Sequence, residues 1–244
     1  MFNLNDGLLY SGIIPFTEEW QITLVYLFSA IAVIAVSYLL GSVNSAIIIS
    51  KTFYNDDIRK HGSGNAGLTN VNRTYGLKAA GLTLLGDMLK SVLSVLFAAL
   101  LFVLHYVDGI SISEFCYVAG LFAVLGHVYP VFYGFKGGKG VLVAATMTLI
   151  LAPLHFLALL LIFAIIVGIS RYVSLGSVSV AALLPVSVCL YIPLVIGERL
   201  SPIIAISLII LGSFVIWCHR SNIKRLISGN EKKISIGGKK KTNE

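Results

Sequence analysis

Three short polar stretches in an otherwise apolar chain carry the residue types that handle phosphate esters. The first is Gly62-Ser63-Gly64-Asn65-Ala66-Gly67-Leu68-Thr69-Asn70-Val71-Asn72-Arg73. Its glycines free the backbone to turn and to aim N–H groups at a ligand. Ser63, Asn65, Thr69 and Asn70 add neutral donors and acceptors, and Arg73 adds a fixed cationic fork. The second is Gly134-Phe135-Lys136-Gly137-Gly138-Lys139-Gly140, which opens into an apolar run. A glycine loop feeding a helix N-terminus favours an anion through free N–H groups and the helix dipole, and Lys139 supplies a mobile positive charge. The third is His219-Arg220-Ser221-Asn222-Ile223-Lys224-Arg225. His219 can bind phosphate as a cation or act as a base near neutral pH. Asn222 shares its face if the helix continues that far.

Each stretch has a plainer reading. Ser and Asn also start turns and helices, a glycine loop also packs tightly at an interfacial turn, and a basic juxtamembrane segment is also drawn to anionic lipid. The second stretch is not a P-loop. Three residues separate Gly134 from Gly138, and Gly140 follows Lys139 where a Ser or Thr would hold Mg²⁺. Nucleotide hydrolysis is therefore rejected, while a phosphate cradle is retained.

The elements that must position these stretches are membrane helices. The chain has 244 residues with 12% charged and a mean hydropathy of +0.91. Soluble domains carry about 25% charged residues, and a spanning helix needs roughly 20 apolar residues. The sequence predicts an all-α integral membrane protein with seven spans, near 21–50, 79–104, 114–134, 140–152, 154–170, 172–194 and 201–218, the fourth being short. Residues 1–233 form one domain and 234–244 a basic disordered tail. The leader lacks a basic n-region and carries Asp6, Glu18 and Glu19, which argues for an uncleaved first span.

The net charge of +7 is unevenly placed. With the N-terminus outside and the C-terminus cytoplasmic, the connections at 51–78, 135–139, around 171 and 219–244 face the cytoplasm. Of the 18 basic residues, only Arg199 then lies outside, as the positive-inside rule requires. Asp6, Glu18, Glu19, Asp108, Glu114 and Glu198 fall on the outer side. All three polar stretches then share the cytoplasmic face.

Other features are read more plainly. Gly41-Ser42-Val43-Asn44-Ser45 marks a break in the long first span, for close packing or a polar cavity. Asp87 and Lys90, three residues apart in span two, suit a buried ion pair. Asp57 and Arg59 either pair or merely solvate their loop, and His61 is a surface residue. His127 either reaches the site or bonds a carbonyl freed by Pro130. Arg171 anchors a phosphate or snorkels to the interface. Pro185 predicts a kink in span six. Cys116, Cys189 and Cys218 form no CxxC or Cys/His metal spacing and are read as small apolar residues, not as a disulfide or metal site.

The inventory also lacks things. It has no paired carboxylates for a proton relay, no Ser-His-Asp order, and no HxxxxD pattern of the soluble-type glycerolipid acyltransferases. What remains binds phosphate and polarises oxygen without an evident strong base.

Taken together, Gly62-Ser63-Gly64-Asn65-x-Gly67-x-Thr69-Asn70-x-x-Arg73, Gly137-Gly138-Lys139-Gly140 and His219-Arg220-x-Asn222-Ile223 resemble the bacterial acyl-phosphate:glycerol-3-phosphate acyltransferases. Further similarity runs through Gly41-Ser42, Ala123 to His127, Arg171 to Ser177 and Leu226 to Glu231, so the resemblance covers about residues 35–233. It implies a seven-helix enzyme of the bacterial cytoplasmic (inner) membrane with its active site on the cytoplasmic face. The reaction it implies moves an acyl group from acyl phosphate to the 1-hydroxyl of sn-glycerol 3-phosphate, the first step of phospholipid synthesis. It implies catalytic roles for Ser63, Arg73, Lys139 and His219, and substrate contacts for Asn65, Thr69, Asn70, Gly137, Gly138, Gly140 and Asn222, with Glu231 holding the tail. Acyl phosphate, glycerol 3-phosphate and the lipid bilayer are the implied partners, together with a contact to the enzyme that forms acyl phosphate. No metal, cofactor or nucleic acid is implied.

Ala66 stands where that family usually has Pro, Leu68 where it often has Ala, Asn44 where Pro is usual, and Ser91 where Gly follows Lys90. These departures bear on loop geometry and packing and leave the polar inventory intact. The competing class is a carrier for an organic phosphate. A carrier usually holds its site near the midplane in repeated halves, and no internal repeat is evident.

Overall fold

The computed structural model describes residues 19–104, 111–197 and 199–234. Most of the leader, Asp6, Glu18, Asp108 and Glu198, and residues 235–244, for which the sequence carries expectations, lie outside the described residues. Within them the chain is all helix and turn. Ten α-helices follow one another: α1 (Glu19–Ser42), α2 (Ser45–Tyr54), α3 (Leu68–Tyr75), α4 (Leu77–Leu104), α5 (Ile112–Val128), α6 (Val141–Leu151), α7 (Pro153–Ser170), α8 (Val173–Tyr191), α9 (Pro202–Cys218) and α10 (Arg220–Ile227).

Among the described residues, five spans are long and apolar enough to cross a membrane: Thr23–Tyr54, Leu77–Val103, Ile112–Tyr133, Pro153–Ser170 and Val173–Val195. A sixth arises if α9 and α10, bent by 55° at His219, count as one. The expected fourth span is α6, only 11 residues and so about 16 Å long at ~1.5 Å per residue. Alone it falls short of a hydrocarbon core of ~30 Å. The helices coincide with all seven apolar segments read from sequence, while the number long enough to cross is five or six.

The predicted break in the first span is present between Ser42 and Ser45. Packing is the reason for its glycine. A Cβ on Gly41 would sit 2.2 Å from the Ala123 carbonyl oxygen, and one on Gly126 would sit 2.1 Å from that of Tyr38, so α1 and α5 touch backbone to backbone. Asn44, standing where Pro is usual in the resembling family, caps α2 by accepting from the Ile47 N–H at 3.1 Å. Its amide also donates to Ala66 O at 3.4 Å, tying the break to the first polar loop.

The core lies around α5, with Ala119, Ala123 and Val124 wholly enclosed by α1, α4, α6 and α9. The outward faces of α4, α7 and α9 are lined with exposed leucine and isoleucine, as a helix facing lipid requires. Pro185 does not break α8, which runs on through it to Tyr191 and ends in a wide turn over Ile192–Ile196. The three cysteines are free thiols.

Asp87 and Lys90 form the expected buried pair, Oδ1 to Nζ at 2.9 Å. Lys90 does more than pair. Its ammonium donates to the Gly41 and Val43 carbonyls at 3.2 and 3.1 Å, which the α1–α2 break leaves unbonded, and reaches His127 Nδ1 at 2.7 Å. His127 is thus engaged with Lys90, and it also reaches the wall of the cavity described below, as one of its two readings expected.

Candidate active site

The first polar loop is built around Asn70. This side chain is 2% exposed. Its oxygen accepts from the Ser63 N–H at 3.1 Å, and its amide donates to the carbonyls of Ile58, His61 and Asn65 at 3.2, 2.9 and 3.1 Å. Asn70 therefore shapes the loop, with its amide protons spent on backbone carbonyls. Ser63, Asn65, Thr69 and Arg73 are left on the cavity wall, Thr69 and Arg73 being one helical turn apart on α3.

The second loop is fastened to the first. Gly137 O accepts from Ala66 N at 3.3 Å. Arg59 donates to the Tyr133 and Lys136 carbonyls at 2.8 and 3.3 Å while its other edge holds Asp57 at 2.7 Å. That pair is a bridge between loops, beyond the pairing or solvation expected of it. The guanidinium beside Asp57 keeps its carboxyl down at about 2. His61 is part exposed, as expected, and pairs with Asp56 at 2.6 Å.

Gly137 and Gly138 are not on the cavity wall. Their N–H groups donate to the carbonyls of Val128 and His127, each at 3.1 Å, and so are spent inside the turn. A Cβ on Gly138 would lie 2.0 Å from His127 Nε2, so glycine is needed there for close approach. Lys139 and Gly140 do reach the wall, together with the first turn of α6. The unbonded N–H groups of that turn are the anion-favouring part of this loop.

The third stretch turns at His219, between α9 and α10. His219 is 3% exposed, and its Nδ1 donates to Val215 O at 2.8 Å. A carbonyl can only accept, so in the neutral ring Nε2 holds the lone pair. Asn222 lies on the same buried side despite the bend. Its oxygen accepts from Lys139 Nζ. Its amide donates to Glu231 at 2.6 Å, and Glu231 also accepts from Ser174 at 2.8 Å and Arg225 at 2.7 Å. Burial raises the Glu231 carboxyl, but the bonds from Asn222, Ser174 and Arg225 together outweigh it and leave it below its ordinary value. Burial, reinforced by the charge of Arg225, pulls the Lys139 ammonium down to about 8, with Glu231 and Cys218 opposing.

One cavity of about 690 Å³ brings these residues together. Ser63, Asn65, Thr69, Asn70, Arg73, Lys139, Gly140, His219 and Asn222 line its polar end. Gly137 and Gly138 stand behind it as support. Ser174, Arg225 and Lys232 also line it, and the sequence reading did not single them out as site residues. The spacing of Asn222 and Arg225 on one helical face was an available signal. Arg171 is exposed and not on the wall; its carbonyl accepts from Ile234 N at 2.9 Å. Beyond the polar end, apolar side chains of α6, α7, α8 and α9 continue the wall. No group of three or more His, Cys, Asp or Glu fit to hold a metal occurs among the described residues.

A cationic, neutral-donor pocket opening into an apolar bore defines a membrane protein for an amphiphilic anion. The comparisons make the class specific. Residues 31–229 match the family model described as glycerol-3-phosphate acyltransferase, and the chain belongs to that family. The glycerol-3-phosphate acyltransferase of Geobacillus kaustophilus (strain HTA426) is 36% identical over 211 residues, 85% of this chain and 98% of that protein. That of Syntrophomonas wolfei subsp. wolfei (strain DSM 2245B / Goettingen) is 42% identical over 205 residues, 84% of this chain and 96% of that one. The crystal structure of PlsY (YgiH), an integral membrane glycerol 3-phosphate acyltransferase, in its glycerol 3-phosphate form superposes with a TM-score of 0.71 at 36% identity, covering 85% of this chain and 96% of that one. Its lysophosphatidic acid form gives 0.69 at 35% identity and the same coverage.

Proposed function

We propose that the protein transfers an acyl group from acyl phosphate to the 1-hydroxyl of sn-glycerol 3-phosphate, giving 1-acyl-sn-glycerol 3-phosphate and inorganic phosphate. The observation that carries this reading is the convergence of Arg73, Lys139, His219, Asn222 and Arg225 on one end of a cavity whose remainder is apolar. Two phosphates and one acyl chain need that combination. The solved relative in glycerol 3-phosphate and lysophosphatidic acid forms supports it.

Clustered cations offset the repulsion of the two phosphates and hold the hydroxyl against the acyl carbon. Neutral donors at Ser63 and Asn65 stabilise the carbonyl oxygen as it gains charge. The hydroxyl oxygen bonds to the acyl carbon, its proton passes to an oxygen of the glycerol phosphate group, and the bond from acyl carbon to the departing phosphate breaks. A phosphate with pKa near 6 suits the acceptor role. Lys139 and Arg73 neutralise the departing phosphate, and the acyl chain lies in the bore. Gly137 and Gly138 act from behind, and Asn70 from the wall, by holding the loops. The basic connections support seven crossings, α6 included, with the N-terminus outside and the site on the cytoplasmic side of a bacterial inner membrane, where it receives acyl phosphate from the enzyme that forms it.

The test is phosphate release by purified protein given glycerol 3-phosphate and palmitoyl phosphate, with Lys139→Ala and palmitoyl-CoA run in parallel. Release that requires both substrates and is lost in the variant, with no acylated glycerol 3-phosphate formed from the thioester, is expected. No release from folded wild type overturns the reading.

A further inference from the structure

The apolar bore has a length, and that length is readable from the helices. At the polar end, Ser170 and Ser174 flank the tight α7–α8 turn and so lie at nearly one level. From Ser174, Leu184 is ten residues along α8, and from Ser170, Phe156 is fourteen residues back along α7; both line the cavity. At ~1.5 Å per residue they stand about 15 and about 21 Å from the polar end. The wall between carries two hydroxyls, Thr148 and Ser177, and both are spent inside their own helices, on Ala144 O and Val173 O, each at 2.9 Å.

Beyond the far end α7 and α8 are tied together. Next to Phe156, His155 is buried edge-on against Tyr191, ring centroids 4.3 Å apart, which joins α7 to α8 beyond the cavity. On the α6 side, Ala152 turns the chain directly into α7. Phe156 is half-buried and is the cavity-lining residue of α7 farthest from the polar end.

We propose that Phe156 is the stop that sets the longest acyl chain the enzyme uses, and that Leu184 is a narrower point part way along. This rests on the acyltransfer reading above and goes beyond it by assigning chain length to particular residues. An extended chain advances about 1.2 Å per bond, as three backbone bonds cover ~3.6 Å. About 12 bonds therefore reach Leu184 and about 17 reach Phe156, so donors of about 16 to 18 carbons fill the bore and longer ones press on the ring. One methylene too many in an apolar pocket costs roughly tenfold or more in discrimination.

The experiment is a competition in one tube among lauroyl, palmitoyl and arachidoyl phosphate with glycerol 3-phosphate, the products being separated by mass. Product ratios do not depend on how much enzyme is folded. Wild type is expected to favour palmitoyl over arachidoyl by ~10-fold or more. Phe156→Ala raises the arachidoyl-to-palmitoyl ratio by ~10-fold, and Leu184→Phe lowers the palmitoyl-to-lauroyl ratio by a similar factor. Turnover with ratios unchanged in both variants, or no length preference in wild type, overturns the stop alone. No turnover with any acyl phosphate overturns the acyltransfer reading and the stop with it.

Discussion

Lys90 Nζ lies 2.7 Å from His127 Nδ1, so α4 and α5 are joined through a buried cation directly behind the Lys139 loop. The same ammonium holds Asp87 and two carbonyls of the α1–α2 break. Four partners make the charge tolerable at 4% exposure. Removing it strands the Asp87 carboxylate. Lys90→Met is expected to cost ~3–5 kcal/mol, the usual penalty for breaking a buried pair from one side. Adding Asp87→Asn is expected to recover part of that. Thermal melting of the two single variants and the double variant decides it, and an additive double variant would remove the coupling.

Arg59 is the corresponding staple on the outside of the loops. It carries Asp57 on one edge and the Tyr133 and Lys136 carbonyls on the other. Asp57 is held down at about 2, against an ordinary value near 4, so the fold favours its charged form. The stabilisation is therefore present above pH ~4 and is lost as pH falls from there through about 2. After allowance for solvent at this part-exposed pair it amounts to about 1–2 kcal/mol. Asp57→Asn should melt below wild type at neutral pH, and the gap should close under acid. A gap that persists at the acid end contradicts the assignment.

Hydropathy and charge made the helices legible in the sequence, because each apolar run is long and each polar connection is short. The α1–α2 break was legible too, since Gly41 to Ser45 cannot all serve a lipid-facing helix. The assembly of the cavity was not. Lys139, Asn222 and Glu231 meet from three parts of the chain, and nothing local to Lys139 points to Glu231. The opposite error arose at Gly137 and Gly138. Their glycines suggested N–H groups free for an anion, but the backbone of His127 and Val128 takes both. Nor did the 55° bend at His219 have a signal, as no Pro or Gly stands there.

Lys139 gives the sharpest pH prediction. Burial and Arg225 bring its ammonium down to about 8, so the charged form proposed to hold phosphate is lost in the free enzyme as pH rises through that value. kcat/KM for glycerol 3-phosphate, which reports free-enzyme groups, should fall above about pH 8. Lys139→Arg should remove that limb, since a guanidinium keeps its proton throughout the working range. Lys139→Ala should lose ~10²–10³ in rate, as for other groups that stabilise developing charge. An alkaline limb that stays near pH 8 in Lys139→Arg would assign it to another group.

His219 separates the two possible proton acceptors. Its Nδ1 donates to Val215 O, so Nε2 is the atom available to the cavity, and a neutral imidazole there has the lone pair a base needs. It has no carboxylate bonded behind it to stabilise the imidazolium that base catalysis would create; Val215 offers a carbonyl. The substrate phosphate carries its own charge to the hydroxyl and needs no such support. His219→Gln is therefore expected to slow turnover by no more than ~10-fold and to leave the shape of the pH profile intact. A histidine base would instead show a loss of ~10²–10⁴ and a flattened acid limb. Steady-state rates across the pH range distinguish the two, because the phosphate's own ionisation keeps the acid limb in place only if the phosphate takes the proton.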